Sequence, residues 1–363
     1  MADGAPRSTP AKTRFGQGFL TDSWYLAALS GALKPGRLRR VEMLGEPVML
    51  GRSRAGEVVA LRDICPHRAA PLSAGSFHRD ADGVETVQCP YHGWRFGADG
   101  VCAAIPSLTA DQALDVSKIR VRRYPVAESQ GMVFVWMGAT PGSEPDGPPP
   151  VFPGVVGGAP KLVDEVVFDA HIDQAVVGLM DPAHGPYVHR QWWWRTAGSE
   201  HDKAKRFEPR DLGFAMVRHE PSRNSRAYAI LGGEPLTEIT FRLPALRWEH
   251  VTVGRRQVLL LTCLTPIDAG RTRVTQIVWS DHPAFGLLKL VIAVLAKVFL
   301  RQDGDMVQLQ NQGLKYDPTL LWIDDADAQA KWYQALKREW TASRREARAF
   351  VNPVKAATLK WRS

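Results

Sequence analysis

The chain has 363 residues, 45% of them hydrophobic and 23% charged, the balance of a globular protein of about two domains. This excludes a disordered, collagen-like or disulfide-framed chain, and four cysteines (Cys65, Cys89, Cys102, Cys263) are too few for a covalent scaffold. The formal charge of +8 is spread along the sequence, which suits a protein with a positive surface better than a nucleic-acid binder.

The N-terminal stretch has no apolar core of the signal-peptide kind, so a cytoplasmic location is expected. Short apolar or β-branched runs at 46–50, 58–62, 84–88 and 131–137 predict strands, the last fully buried. Residues 138–160 are dominated by Gly and Pro and predict an interdomain linker. Beyond it, 161–169 predicts an extended segment and 173–184 a helix. Residues 214–217, 236–243, 258–265 and 273–280 predict an antiparallel sheet. The most apolar stretch, 286–300, would span about 22 Å as a helix, short of the roughly 30 Å needed to cross a bilayer. Its Lys289, Ala293, Ala296 and Lys297 share one stripe, so a buried helix with a thin exposed edge is expected and membrane contact is not. A last helix over 325–350 carries Trp332, Leu336 and Trp340 on one face.

Cys65-Pro-His67 is followed after 21 residues by Cys89-Pro-Tyr-His92. Each half offers one thiolate and one imidazole. Structural zinc takes the same donors, but zinc motifs usually pair Cys with Cys and His with His. Mixed halves suit a two-iron cluster with both thiolates on one iron and both imidazoles on the other. Imidazole ligation raises the reduction potential and makes a one-electron relay.

The segment CPHRAAPLSAG, with CPYHGWRF and DGVCAAIPS after it, resembles the Rieske domain of the Rieske non-heme iron oxygenases, from about Trp24 to Met137. The resemblance implies an α+β chain. An N-terminal segment (1–40) would pack on the body, followed by an all-β Rieske [2Fe-2S] domain (41–138) and the linker (139–160). A helix-grip catalytic domain with a mononuclear iron, an antiparallel sheet plus helices, would fill 161–363. Cys65 and Cys89 would hold one iron of the cluster and His67 and His92 the other, with Arg68 and Trp94 packing around the loops. Ala69 stands where many relatives have Gly. Cys102 and Cys263 are expected to be buried thiols.

Asp181-Pro-Ala-His184-Gly-Pro-Tyr-Val-His189 is the second informative stretch. On a regular helix His184 and His189 would diverge by about 140°, but Gly185-Pro186 should end the helix and let the second ring swing back. Two His and a carboxylate on one face of an iron leave positions open for dioxygen. The family carries D-x-x-H-x4-H, so the resemblance makes His184 and His189 iron ligands and Asp181 the bridge to the cluster of a neighbouring subunit. Val177 stands where many relatives have Asn. The third ligand is expected from Arg301-Gln-Asp303-Gly-Asp305-Met-Val-Gln, which resembles the family's QD-x-x-x-V segment, with Asp303 preferred to Asp305. His171 and Asp173 are rivals that would more simply end a strand or cap a helix. Gln191 and Trp192–Trp194 are candidates to line a flat, hydrophobic ligand, with Phe241, Leu243, Trp248 and Trp279 weaker ones.

The implied function is a terminal oxygenase that hydroxylates or demethylates a hydrophobic aromatic or polycyclic compound. Its cofactors would be a Rieske [2Fe-2S] cluster and Fe(II). NAD(P)H electrons would arrive through a separate ferredoxin or flavin reductase, since no flavin or nicotinamide fingerprint is visible. The assembly would be a homotrimer. Alternatives are a cis-dihydroxylating or angular dioxygenase, a pure Rieske electron carrier, and a zinc-binding structural protein.

Overall fold

The computed structural model describes residues 18–155, 158–189, 198–222, 228 and 231–363. It divides into two compact units. One comprises Thr21–Val151 with Thr265–Asp268; the other comprises residues 18–20, Phe152–Leu264 and Ala269–Ser363.

The first unit is built on ten strands: β1 (Ser23–Leu29), β2 (Arg37–Met43), β3 (Glu46–Arg52), β4 (Val58–Arg62), β5 (Ser76–Arg79), β6 (Glu85–Gln88), β7 (Arg95–Phe96), β8 (Cys102–Ala104), β9 (Val126–Ser129) and β10 (Met132–Met137). They form sheets in the orders β1-β10-β9, β2-β3-β4 and β5-β6-β7-β8. Every residue of β10 is buried, which fits its uninterrupted run of apolar side chains. β1 pairs with β10, Trp24 opposite Trp136, and Trp24 Nε1 donates to the Gly147 carbonyl at 2.9 Å. The Pro-rich stretch after β10 is thus tied back onto this unit.

The Cys65 loop runs from β4 to β5 and the Cys89 loop joins β6 to β7, and the core around them includes Cys65, Leu72, Phe77, Val87, Cys89, Phe96 and Cys102. Gly75 fixes the spacing between the loops. A Cβ there would lie 2.0 Å from the Gln88 carbonyl oxygen, one residue before Cys89. Asp63, its side chain fully buried, braces the first loop by accepting from Ser73 N–H and Ser73 Oγ at 2.7 Å each.

The second unit contains β11 (Leu162–Phe168), α1 (Ile172–Met180), α2 (Gly185–Val188), β12 (Asp202–Arg210), β13 (Gly213–His219), β14 (Leu236–Arg242), β15 (Leu246–Val253), β16 (Arg256–Asp268, its last four residues grouped with the first unit), β17 (Arg271–Ser280), α3 (Ala284–Leu287), α4 (Lys289–Leu314), α5 (Ala328–Arg345) and β18 (Ala357–Arg362). One eight-stranded sheet runs β11-β17-β16-β15-β14-β13-β12-β18. The α5 residue Trp332 packs against Phe207 and Phe214, and Tyr333 against Phe241. Gly304 of α4 faces Phe168 of β11, where a Cβ would meet the ring at 3.2 Å. A mid-helix Gly costs about 1 kcal/mol relative to Ala; here it lets α4 close on the sheet edge.

α1 is locked to its neighbours by polar contacts as well. Gln174 Nε2 donates to the Val307 carbonyl and Gln310 Oε1 on α4. Asp173, 1% exposed, accepts from Lys337 Nζ at 2.7 and 2.8 Å and from the Tyr333 hydroxyl at 2.7 Å, both on α5.

α4 corrects one expectation. The sequence predicts a buried apolar helix, yet Leu290 and Val294 are 81% and 63% exposed, with Val291 and Val298 on the same open side. The helix also runs on to Leu314, and its inward stripe lies later, at Leu300, Asp303 and Val307. An apolar belt does not say which arc faces inward; contact with β11 and α1 decides that. Among the described residues no helix is long and apolar enough to cross a membrane.

Gly75→Ala should destabilise the protein by on the order of 2 kcal/mol through backbone overpacking and lower its iron and acid-labile sulfide content, read by thermal unfolding and metal analysis. Lys337→Met, which strands the Asp173 carboxylate, should cost about 3–5 kcal/mol, whereas Lys337→Met with Asp173→Leu should cost less; chemical denaturation measures both.

Candidate metal centres

The two Cys loops of the first unit are the same turn used twice. Cys65 N–H donates to the Ala70 carbonyl and Ala69 N–H to the Cys65 carbonyl, each at 2.9 Å. Cys89 N–H donates to the Trp94 carbonyl at 2.8 Å and Gly93 N–H to the Cys89 carbonyl at 3.2 Å. Each turn needs a left-handed residue four places after the Cys: Ala69 has φ 57° and Gly93 φ 73°. Ala at such a position costs about 1–2 kcal/mol, so the turn is imposed by its surroundings.

The turns bring the four donors together. The His67 and His92 rings lie 4.5 Å apart between centroids, and the buried Cys65 and Cys89 thiols are neighbours. Burial pushes the Cys65 thiol up to about 11, aided by Cys89 and opposed by the N–H groups of His67 and Arg68, which point at its sulfur. Burial, then the charges of His67 and Arg68, lowers His92 and favours the neutral ring that a metal ligand must be. Trp94 stacks on His67 at 4.7 Å and 7°, and its buried indole N–H has no partner among the described residues. Two thiols on one side, two imidazoles on the other and an unsatisfied N–H beside them fit a mixed-ligand [2Fe-2S] cluster. Cys102 and Cys263 are both buried and free.

The second centre lies in the second unit, where α1 ends. Asp181 is extended (φ −63°, ψ 121°) at the C-terminus of α1, and α2 begins again at Gly185 with Pro186 in its first turn. The break falls earlier than the sequence predicts, at Asp181-Pro182: Gly185-Pro186 opens α2 rather than ending α1, and that single turn brings His189 back toward His184. Their Nε2 atoms are 3.1 Å apart. Asp303 Oδ1, from α4, lies 3.5 Å from His184 Nε2 and 3.2 Å from His189 Nε2. These three are the group of possible metal ligands found among the described residues. Asp305 is exposed and stands outside it.

Hydrogen bonding sets how the two rings point. His184 Nδ1 is 2.8 Å from the Asp181 carbonyl oxygen, and His189 Nδ1 is 3.1 Å from Gln302 Oε1. Both partners are oxygens that accept, so each Nδ1 donates to one of them and each ring turns its Nε2 inward. Two imidazole nitrogens and a carboxylate oxygen therefore converge on one point, the donor set that a divalent cation takes. Donors at right angles around an ion with bonds of about 2.0–2.2 Å lie roughly 3 Å apart, close to the separations observed. Two His and one carboxylate on one face is the pattern of non-heme Fe(II) sites with open positions.

The Asp181 carboxylate points away from that focus. Its Oδ1 accepts from Ala183 N–H at 2.7 Å, and its Oδ2 is 3.7 Å from His184 Nδ1. Burial raises its carboxyl above the usual range, against the pull of the Ala183 N–H. Beside it opens a cavity of about 360 Å³, lined by Val177, Met180, Leu314, Leu321, Trp322 and Asp327 among others.

Two matches identify the lineage. Residues 23–125 match the Rieske [2Fe-2S] domain, and residues 168–342 match the vanillate O-demethylase oxygenase C-terminal domain. The chain belongs to the Rieske oxygenases. It is 31% identical to chlorophyllide a oxygenase of Arabidopsis thaliana over 47% of this chain and 29% of that protein. To 4beta-methylsterol monooxygenase of Methylococcus capsulatus it is 35% identical, over 46% of this chain and 44% of that one. To the oxygenase component of dicamba O-demethylase of Stenotrophomonas maltophilia it is 36% identical, over 47% and 48%. The chain thus spans less than half the length of each of these relatives. The fold is that of dicamba monooxygenase bound to dicamba, with a TM-score of 0.72 at 22% identity over 90% of this chain and 100% of that one.

The rival residues have other work. His171 caps α1, its Nδ1 accepting from Asp173 N–H at 3.1 Å, and Asp173 is held by Lys337. Phe241 and Trp279 are buried in the core, and Trp248 packs on Phe152. Gln191 and Trp192–Trp194 lie outside the described residues. Sequence reading passed over Gln302 and Phe299, whose ring stacks on His189 at 3.6 Å and 18°. The adjacency of Gln302 to Asp303 was the available signal.

His184→Ala is expected to lose the mononuclear metal while keeping the iron and acid-labile sulfide of the first centre; metal analysis of anaerobically purified protein reads both.

Proposed function

We propose that the chain is the terminal oxygenase component of a multicomponent system, hydroxylating or demethylating a hydrophobic aromatic or polycyclic substrate. The observation that carries this is the convergence of His184 Nε2, His189 Nε2 and Asp303 Oδ1 in a chain that also bears the paired Cys-His turns. In this reading Cys65, Cys89, His67 and His92 hold the cluster, and His184, His189 and Asp303 hold Fe(II). Bound there, the two groups supply single electrons and dioxygen activation. A separate ferredoxin or flavin reductase brings the electrons from NAD(P)H.

The protein's own residues keep the two imidazoles oriented and partly out of water. His189 and Asp303 are 1% and 9% exposed, so the donors sit on a dry wall. His184 remains more open. Asp181 holds His184 through its carbonyl and presents its carboxylate beside the cavity, within reach of another imidazole. We assign that imidazole to His92 of a neighbouring copy in a homotrimer. A carboxylate between two rings would orient both and shorten the electron path. The relatives named above act on dicamba, a methylsterol and chlorophyllide a, all ring compounds with apolar bodies, and this supports the substrate class.

The test is turnover with a surrogate reductase over a panel of such compounds, using labelled dioxygen and product mass. One labelled oxygen, or loss of a methyl group, supports the proposal. Two labelled oxygens in one product would move the reaction to dihydroxylation or angular dioxygenation. Cluster reduction without substrate-dependent oxygen uptake would leave only an electron carrier. Asp181→Asn should retain both metals yet lose about 100-fold in coupled turnover; unchanged turnover refutes the bridging role.

A further inference from the structure

We propose that Gln302 is the positioning residue of His189, fixing its tautomer and aim so that Nε2 faces the ion. The inference rests on the metal site proposed above and deepens it. One turn of α4 grips the His189 ring from three directions. Phe299 covers its face at 3.6 Å. Gln302 Oε1 accepts from Nδ1–H at 3.1 Å. Asp303 Oδ1 approaches Nε2 at 3.2 Å. Consecutive residues thus reach the far and near nitrogens of the same ring.

His184 is held differently. Its Nδ1 donates to the carbonyl of Asp181, three residues earlier in its own segment, and the side chain is 24% exposed against 2% for His189. His189 is the anchored ligand, set by the helix that also delivers the carboxylate; His184 is the open one, set by the turn that bears Asp181. Metal-bound histidines usually give their second N–H to a carboxylate, a carbonyl or water. A neutral side-chain amide fixes the ring without adding a negative charge beside Asp303. Without Gln302 the ring can flip or exchange its proton to Nε2, and either change removes a lone pair from the ion.

The experiment uses full-length protein with its cluster, stripped of mononuclear metal by anaerobic chelation. Binding of Fe(II) alone is measured by equilibrium dialysis for wild type, Gln302→Met and Gln302→Glu. The cluster spectrum and thermal unfolding midpoint confirm that each variant is folded. Gln302→Met keeps the bulk but removes the acceptor, and should weaken binding about 10–100-fold. Gln302→Glu restores an acceptor of the same length and should recover wild-type affinity or better. Unchanged affinity in Gln302→Met, or equal loss in both variants, overturns the proposal, the second result marking a packing role only. If wild type itself takes up no mononuclear ion, the reading of the site fails, a result distinct from failure of the Gln302 inference.

Discussion

Two imidazole Nε2 atoms and a carboxylate oxygen converge at 3.1–3.5 Å, and the second unit is arranged to keep them there. Holding three ligand atoms this close takes a rigid frame. What holds them is backbone placement. The helix break between Asp181 and Gly185 aims one pair of donors, and α4 brings the third. The surrounding packing serves this constraint. Gly304 allows α4 to approach Phe168, and the buried Lys337–Asp173 ion pair ties α1 to α5. Such an ion pair adds little net stability but specifies one arrangement, because breaking it strands a charge.

The first centre follows a different logic. Its donors sit on two copies of one tight turn, each closed by hydrogen bonds within its own loop. Longer-range structure sets the spacing between the turns: Gly75 against the Gln88 carbonyl, and Asp63 holding Ser73. Ala69 in a left-handed conformation shows that the turn is imposed even where the residue disfavours it. In each centre, then, one element presents ligands and another, distant in sequence, fixes their separation.

The proposed chemistry divides the labour between the two histidines of the mononuclear site. His189 is sealed and clamped by α4, while His184 is open and linked to Asp181. A ligand that must transmit an electron benefits from a short polar path to the outside, and one that must hold geometry benefits from burial. The proposed division rests on the asymmetry in exposure and in hydrogen-bond partners.

The sequence by itself determined whatever depends on neighbours along the chain. The Cys-His pairs, the His184–His189 pair, the capping role of His171 and the buried strand at β10 were all legible, because turn chemistry, ligand spacing and periodicity are local; the helix break, expected at Gly185-Pro186, falls instead at Asp181-Pro182. The sequence could not decide between Asp303 and Asp305, which lie about 200° apart around one helix; only the docking of α4 turned Asp303 inward. Nor could it show that the apolar start of α4 faces outward, or that Gln302 and Phe299 close on His189. Those are contacts between segments more than a hundred residues apart, and such contacts come into being only when the sheet and its helices assemble.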